Sequence, residues 1–71
     1  MNSAVKMWNK IVNILYNVKS LYEQDELYLS KMILEKAKRH LLELKSIHNT
    51  DYSKMDRFVE AYEDKLRSIK L

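Results

Sequence analysis

The chain has 71 residues, 46% of them apolar and 32% charged, with a formal net charge of +3 and neither Gly, Pro nor Cys. The missing Gly excludes the phosphate-cradling loops, dinucleotide fingerprints and nucleophile elbows that are built on it. The missing Cys excludes disulfides and thiolate zinc sites. A domain of this size hides only about 60% of the surface its unfolded chain exposes, so helix packing and self-association are the remaining routes to stability. A chain without Cys suits a reducing compartment, and no apolar run reaches the ~18 residues needed to cross a bilayer. A cytoplasmic location is therefore expected, and a membrane surface is not expected as a partner.

Taken in chain order, Asn2 or Ser3 is expected to cap a first helix over about 3–22. Trp8, Ile11, Leu15, Val18 and Tyr22 recur at alternating spacings of three and four, which lines them along one side of a helix. Val5, Met7, Val12, Ile14 and Leu21 widen that band, while Lys6, Lys10, Asn13, Asn17 and Ser20 form a narrow polar stripe opposite. So broad an apolar sector needs at least two neighbours to cover it. Glu23, Gln24, Asp25 and Glu26 interrupt the pattern, and Asp25 is a plausible cap for the next helix.

The second helix is expected over about 26–47. Leu27, Leu34, Ala37, Leu41, Leu44 and His48 form its heptad-like stripe, flanked by Met32, Ile33 and Leu42. No Gly or Pro separates it from the first helix, so a break near residue 25 is preferred over one continuous helix without being required. The run from His48 to Ser53 is rich in side chains that hydrogen-bond their own backbone, and marks a turn. Ser53 followed by Asp56 resembles a capping box, opening a third helix over about 54–70. Met55, Val59, Tyr62, Leu66 and Ile69 form its core stripe, with Phe58 alongside. The expected fold is all-α: a helical hairpin plus a third helix over 1–71, dimerising through helical faces because the first helix carries more apolar surface than two short partners cover.

Charge is unevenly placed. Residues 1–22 carry three lysines and no acid, and residues 23–30 carry three acids and no base. Lys31, Lys36, Lys38, Arg39 and Lys45 give the second helix a basic character against Glu35 and Glu43, and are the candidate phosphate contacts. Lys6, Lys10, Asn13 and Asn17 are a second candidate for meeting nucleic acid, although a polar stripe is ordinarily the wet side of a helix. Among the aromatics, Trp8, Tyr22, Phe58 and Tyr62 sit on core stripes, whereas Tyr16, Tyr28 and Tyr52 lie toward the edges. Trp8, Tyr16 and Tyr28 are the candidate protein-interface residues, since aromatics beside a charged rim anchor interfaces.

His40, Glu43 and His48 are spaced too loosely for a zinc site, and no acid–base or nucleophile constellation is written in the chain. Neither metal, cofactor nor catalysis is expected. No family signature stands out. The expected function is a small regulatory or adaptor protein acting by protein–protein binding, its expected partners being a second copy and another protein of unknown identity. The alternative is a small basic nucleic-acid-binding protein, gripping DNA or RNA phosphates as a helical dimer.

Overall fold

The computed structural model describes residues 3–71, so the expected cap at Asn2 lies outside the described residues. Three helices are present, α1 (Ser3–Glu23), α2 (Leu27–Ile47) and α3 (Ser53–Leu66), with no strand among the described residues. The molecule measures 36 × 19 × 19 Å, so the two long helices run its full length.

The break between α1 and α2 is made without Gly. Asp25 takes φ 63°, the left-handed region that Gly usually fills. The Glu26 N–H then reaches the Leu21 carbonyl at 2.9 Å and the Asp25 N–H reaches the Tyr22 carbonyl at 3.0 Å. This pair of bonds is a Schellman motif, which satisfies carbonyls left open at the end of a helix. Asp25 therefore closes α1 and does not cap α2, correcting the expectation. Glu26 occupies the α2 cap position through its backbone alone, its carbonyl accepting from the Ser30 N–H.

The short reversal folds α2 back antiparallel on α1. Contact is close where α2 offers small side chains: Ser30 and Ala37, one heptad apart, are both fully buried. The Ser30 hydroxyl donates to the Val18 carbonyl at 2.9 Å, so a buried polar group is satisfied across the helix pair. Ser30 completes the alternating series Leu27, Ser30, Leu34, Ala37, Leu41, Leu44. As a polar residue it escaped the apolar count.

After α2, His48 is extended and the chain turns through a loop held by the Tyr52 hydroxyl, which donates to the His48 carbonyl at 2.9 Å. The expected capping box does not form. Ser53 donates its N–H and its hydroxyl to the Asp51 carboxylate, while Asp56 turns instead to Lys45 at 2.7 Å. A cation across the groove outcompetes a local backbone bond. These bonds from Ser53 hold the Asp51 carboxyl below its ordinary range.

Helix α3 lies antiparallel to α2 and parallel to α1, in the groove between them. Met55, Val59, Tyr62 and Leu66 enter the core with Ile11, Ile14, Leu15 and Val18 of α1 and Leu34, Leu41 and Leu44 of α2. It ends at Leu66, earlier than the periodicity suggests. The chain turns at Arg67 and Ser68, Ile69 packs partly buried against the core, and Lys31 Nζ donates to the Ile69 carbonyl.

Two changes test this architecture. Asp25→Gly removes the left-handed penalty and is expected to raise unfolding free energy by about 0.5–1 kcal/mol. Leu34→Ala opens a void under both neighbouring helices and is expected to cost about 2–5 kcal/mol. Urea unfolding followed by circular dichroism measures both.

Candidate protein-binding face

The candidate cations of α2 divide by face. Lys31, Lys38 and Lys45 recur once per heptad and all point to α3 or to the segment just beyond it. Lys31 bonds the Ile69 carbonyl, Lys38 Nζ lies 3.5 Å from Glu63 and 3.1 Å from Glu35, and Lys45 Nζ lies 2.7 Å from Asp56. Asp56 and Glu63 are likewise one heptad apart, so the ladder runs in register along the antiparallel pair. These three lysines hold α3 in place, a role that spacing along α2 alone does not disclose. Lys36 and Arg39 lie exposed on other sides of the same helix and join no ion pair among the described residues.

The hydrogen bond to Glu35 raises the Lys38 ammonium above its ordinary range; partial desolvation opposes that rise, and the Glu35 and Glu63 charges add to it. Each ion pair is part-exposed, so each contributes only about 0.2–1 kcal/mol. Their shared effect is to fix the register of α3 more than to stabilise the chain.

The candidate aromatics are also separated. Tyr16 is 64% exposed and Tyr28 is 54% exposed, on different helices and different sides of the bundle. Tyr52, expected at an edge, is buried, its ring tilted against Trp8 with centroids 5.5 Å apart. Trp8 is half-buried and forms a ridge between two apolar depressions. One, of about 270 Å³, is lined by Ala4, Val5, Trp8, Leu44, His48, Thr50 and Tyr52. The other, of about 320 Å³, is lined by Trp8, Val12, Leu15, Tyr16, Lys54, Met55 and Phe58.

The second depression lies on the seam between α1 and α3, and the first adjoins it across Trp8, bounded by α1, the end of α2 and the loop that follows. Helix α1 brings Val5, Trp8, Val12 and Tyr16 through its i, i+3, i+4 spacing, the outer edge of its wide apolar sector. Helix α3 is narrower and covers only part of that edge. At the far end Phe58 stacks on Tyr62 at 4.8 Å, and Tyr62 meets Tyr22 edge-on at 5.5 Å. Lys65 Nζ sits 5.2 Å from the Tyr22 ring centroid and 4.8 Å from that of Tyr62, within cation–π range. Lys54 lines the groove itself, while Lys19 and Arg57 stand exposed one turn from Tyr16 and Lys54. Glu60 stands exposed one turn beyond Arg57, and Asp51, just before α3, accepts from Ser53.

The structure thus brings Trp8 and Tyr16 together and leaves Tyr28 apart. It adds Met55, Phe58 and Lys54 to the face. Phe58 had a visible signal, lying one residue off the strict core stripe of α3. Lys54 had none, because its place on the rim depends on how α3 is seated.

Among the described residues no group of three or more acidic or histidine side chains is placed to hold a metal ion, and no helix is long and apolar enough to cross a membrane. Set against known protein families, curated proteins and solved structures, the chain matches none.

The lysine ladder has a pH signature. Lys38 has its ammonium favoured by folding, so its contribution is present below its ordinary value of 10.5 and is lost as pH rises through the higher value of the folded state. The gap in melting temperature between wild type and Lys38→Met is expected to hold at neutral pH and to narrow above about pH 10.5, measured by thermal denaturation in matched buffers.

Proposed function

We propose that this chain is a small regulatory or adaptor protein that works without catalysis, by holding an amphipathic helix of another protein in the groove between α1 and α3. The observation that carries this reading is the apolar band from Val5 through Trp8, Val12 and Tyr16 to Phe58, which the chain's own third helix leaves partly open. A helix laid in such a groove inserts apolar anchors at i, i+3, i+4 and i+7. Aromatic residues at the centre of a water-excluding ring are the usual source of binding energy. Lys54, Lys19, Arg57 and Lys65 along the rim favour a partner helix with acidic flanks, since opposite charges steer encounter and fix register. The same reading includes a pair of copies, because Leu29, Met32 and Ile47 on α2 remain exposed.

Tyr16→Asp tests the groove, since its exposed ring contributes little to the core. Against a panel of amphipathic helical peptides graded in acidity, wild type is expected to retain the acidic members. The variant is expected to bind them at least tenfold more weakly, about 1.4 kcal/mol, with an unchanged melting temperature. Equal retention by both proteins overturns the proposal.

A second reading, nucleic-acid contact, draws support from a different juxtaposition. Lys6 and Lys10 of α1 share a groove of about 270 Å³ with His40 and Glu43 of α2, and Lys36 lies exposed nearby. Two basic segments distant in sequence thus meet on one surface, which suits phosphate contacts. Micromolar protein is then expected to retard a labelled duplex or RNA hairpin in low salt, and Lys6→Gln with Lys10→Gln to abolish the shift. Absence of any shift for the wild type disposes of this reading.

A further inference from the structure

The outer side of α2, turned away from the core, carries Met32, Lys36, Glu43 and Ile47. Their spacings of four, seven and four place them within one narrow stripe at 3.6 residues per turn. Met32 is 44% exposed and Ile47 58% exposed, and Lys36 and Glu43 join no ion pair among the described residues. On the opposite flank of the same helix the lysines are engaged by α3 or by the Ile69 carbonyl just beyond it. Read from either end, the stripe runs apolar, charged, charged, apolar, with the two charges of opposite sign. Such a pattern is its own complement when reversed.

Resting on the self-association part of the reading above, we propose that two copies of this chain pair through this stripe. The α2 helices run antiparallel about a two-fold axis between Arg39 and His40. In that register Met32 meets the partner's Ile47, and Lys36 meets the partner's Glu43, each pairing occurring twice as a two-fold interface requires. The four stripe residues are together electrically neutral in a chain of net charge +3, so the stripe itself adds no like-charge repulsion, unlike the cationic α1/α3 rim. Arg39 and His40 straddle the stripe near the axis. A two-fold axis brings each toward its own counterpart on its own flank: Arg39 is exposed and can extend its charge to solvent, and His40 lies half-buried toward Lys6, Lys10 and Glu43. The paired segment spans four turns, about 22 Å, at the small end of specific interfaces. The dimer is therefore a weak, reversible one, and the groove between α1 and α3 stays open in it.

Sedimentation equilibrium from about 10 µM to 1 mM tests this, the monomer being 8.6 kDa. Wild type is expected to approach twice that mass. Lys36→Glu alone, or Glu43→Lys alone, sets like charges together twice per dimer and is expected to weaken association at least tenfold. The two changes combined restore opposite pairs and are expected to recover wild-type association within about threefold. Because the chain lacks Cys, single-cysteine variants report the direction of pairing. Under mild oxidation, a mixture of Met32→Cys and Ile47→Cys chains is expected to form the mixed disulfide, with neither variant cross-linking efficiently by itself. A wild type that stays at 8.6 kDa throughout overturns both this interface and self-association. A wild-type dimer indifferent to both single charge reversals overturns this interface and moves self-association to another side of the molecule.

Discussion

The close approach of α1 and α2 at Ser30 and Ala37 sets the geometry on which the rest of the molecule depends. Both side chains are small and fully buried, and the Ser30 hydroxyl satisfies itself on the Val18 carbonyl across the contact. Helices joined by so short a reversal pair antiparallel. Once paired at this spacing they present a groove in which a third helix can be seated. The left-handed Asp25 makes the reversal possible in a chain without Gly. A local strain of about 1–2 kcal/mol is offset by the apolar burial that the hairpin permits.

Helix α3 is held by two unlike systems. Its apolar stripe fills the groove, Glu63 and Asp56 on its flank meet Lys38 and Lys45, and Lys31 of the same heptad row bonds the Ile69 carbonyl just beyond its end. Burial supplies most of the energy and, through interdigitated side chains, much of the register. The ion pairs supply little energy and favour that same register. The charge that makes α2 look like a phosphate-binding helix is thus in good part internal, and the surface left over is redistributed. Cations remain along the rim of the α1/α3 groove and on the α1 polar stripe, while the outer side of α2 balances Lys36 against Glu43.

The width of the α1 apolar sector links this architecture to the proposed partner. A helix that is apolar over more than its two neighbours can cover leaves part of that sector in water. The uncovered part, Val5, Val12 and Tyr16 beside Trp8, is contiguous with Phe58 of α3. Contiguity separates a binding face from the scattered apolar residues that any protein surface carries. Leu42, 70% exposed on α2, belongs to the scattered kind.

The residue order by itself determined the three helical periods, the turn near residues 48–53, and the core stripes of α1 and α3, because side-chain burial follows a helical repeat visible in one dimension. It also pointed to the exposed Tyr16 and to the half-buried Trp8 beside it. The burial of Ser30 and Tyr52, the role of Asp25, and the loss of the Ser53–Asp56 capping box were decided only by the tertiary structure. Three depend on a partner supplied by the turned-back chain, namely a carbonyl 12 residues away, the Trp8 ring, or the competition of Lys45 for Asp56, and the fourth on a left-handed dihedral angle that residue identity permits without requiring. Packing likewise decided which lysines are free, since a charge at a given helical position is solvated or paired according to what stands opposite it, and a linear pattern does not specify that.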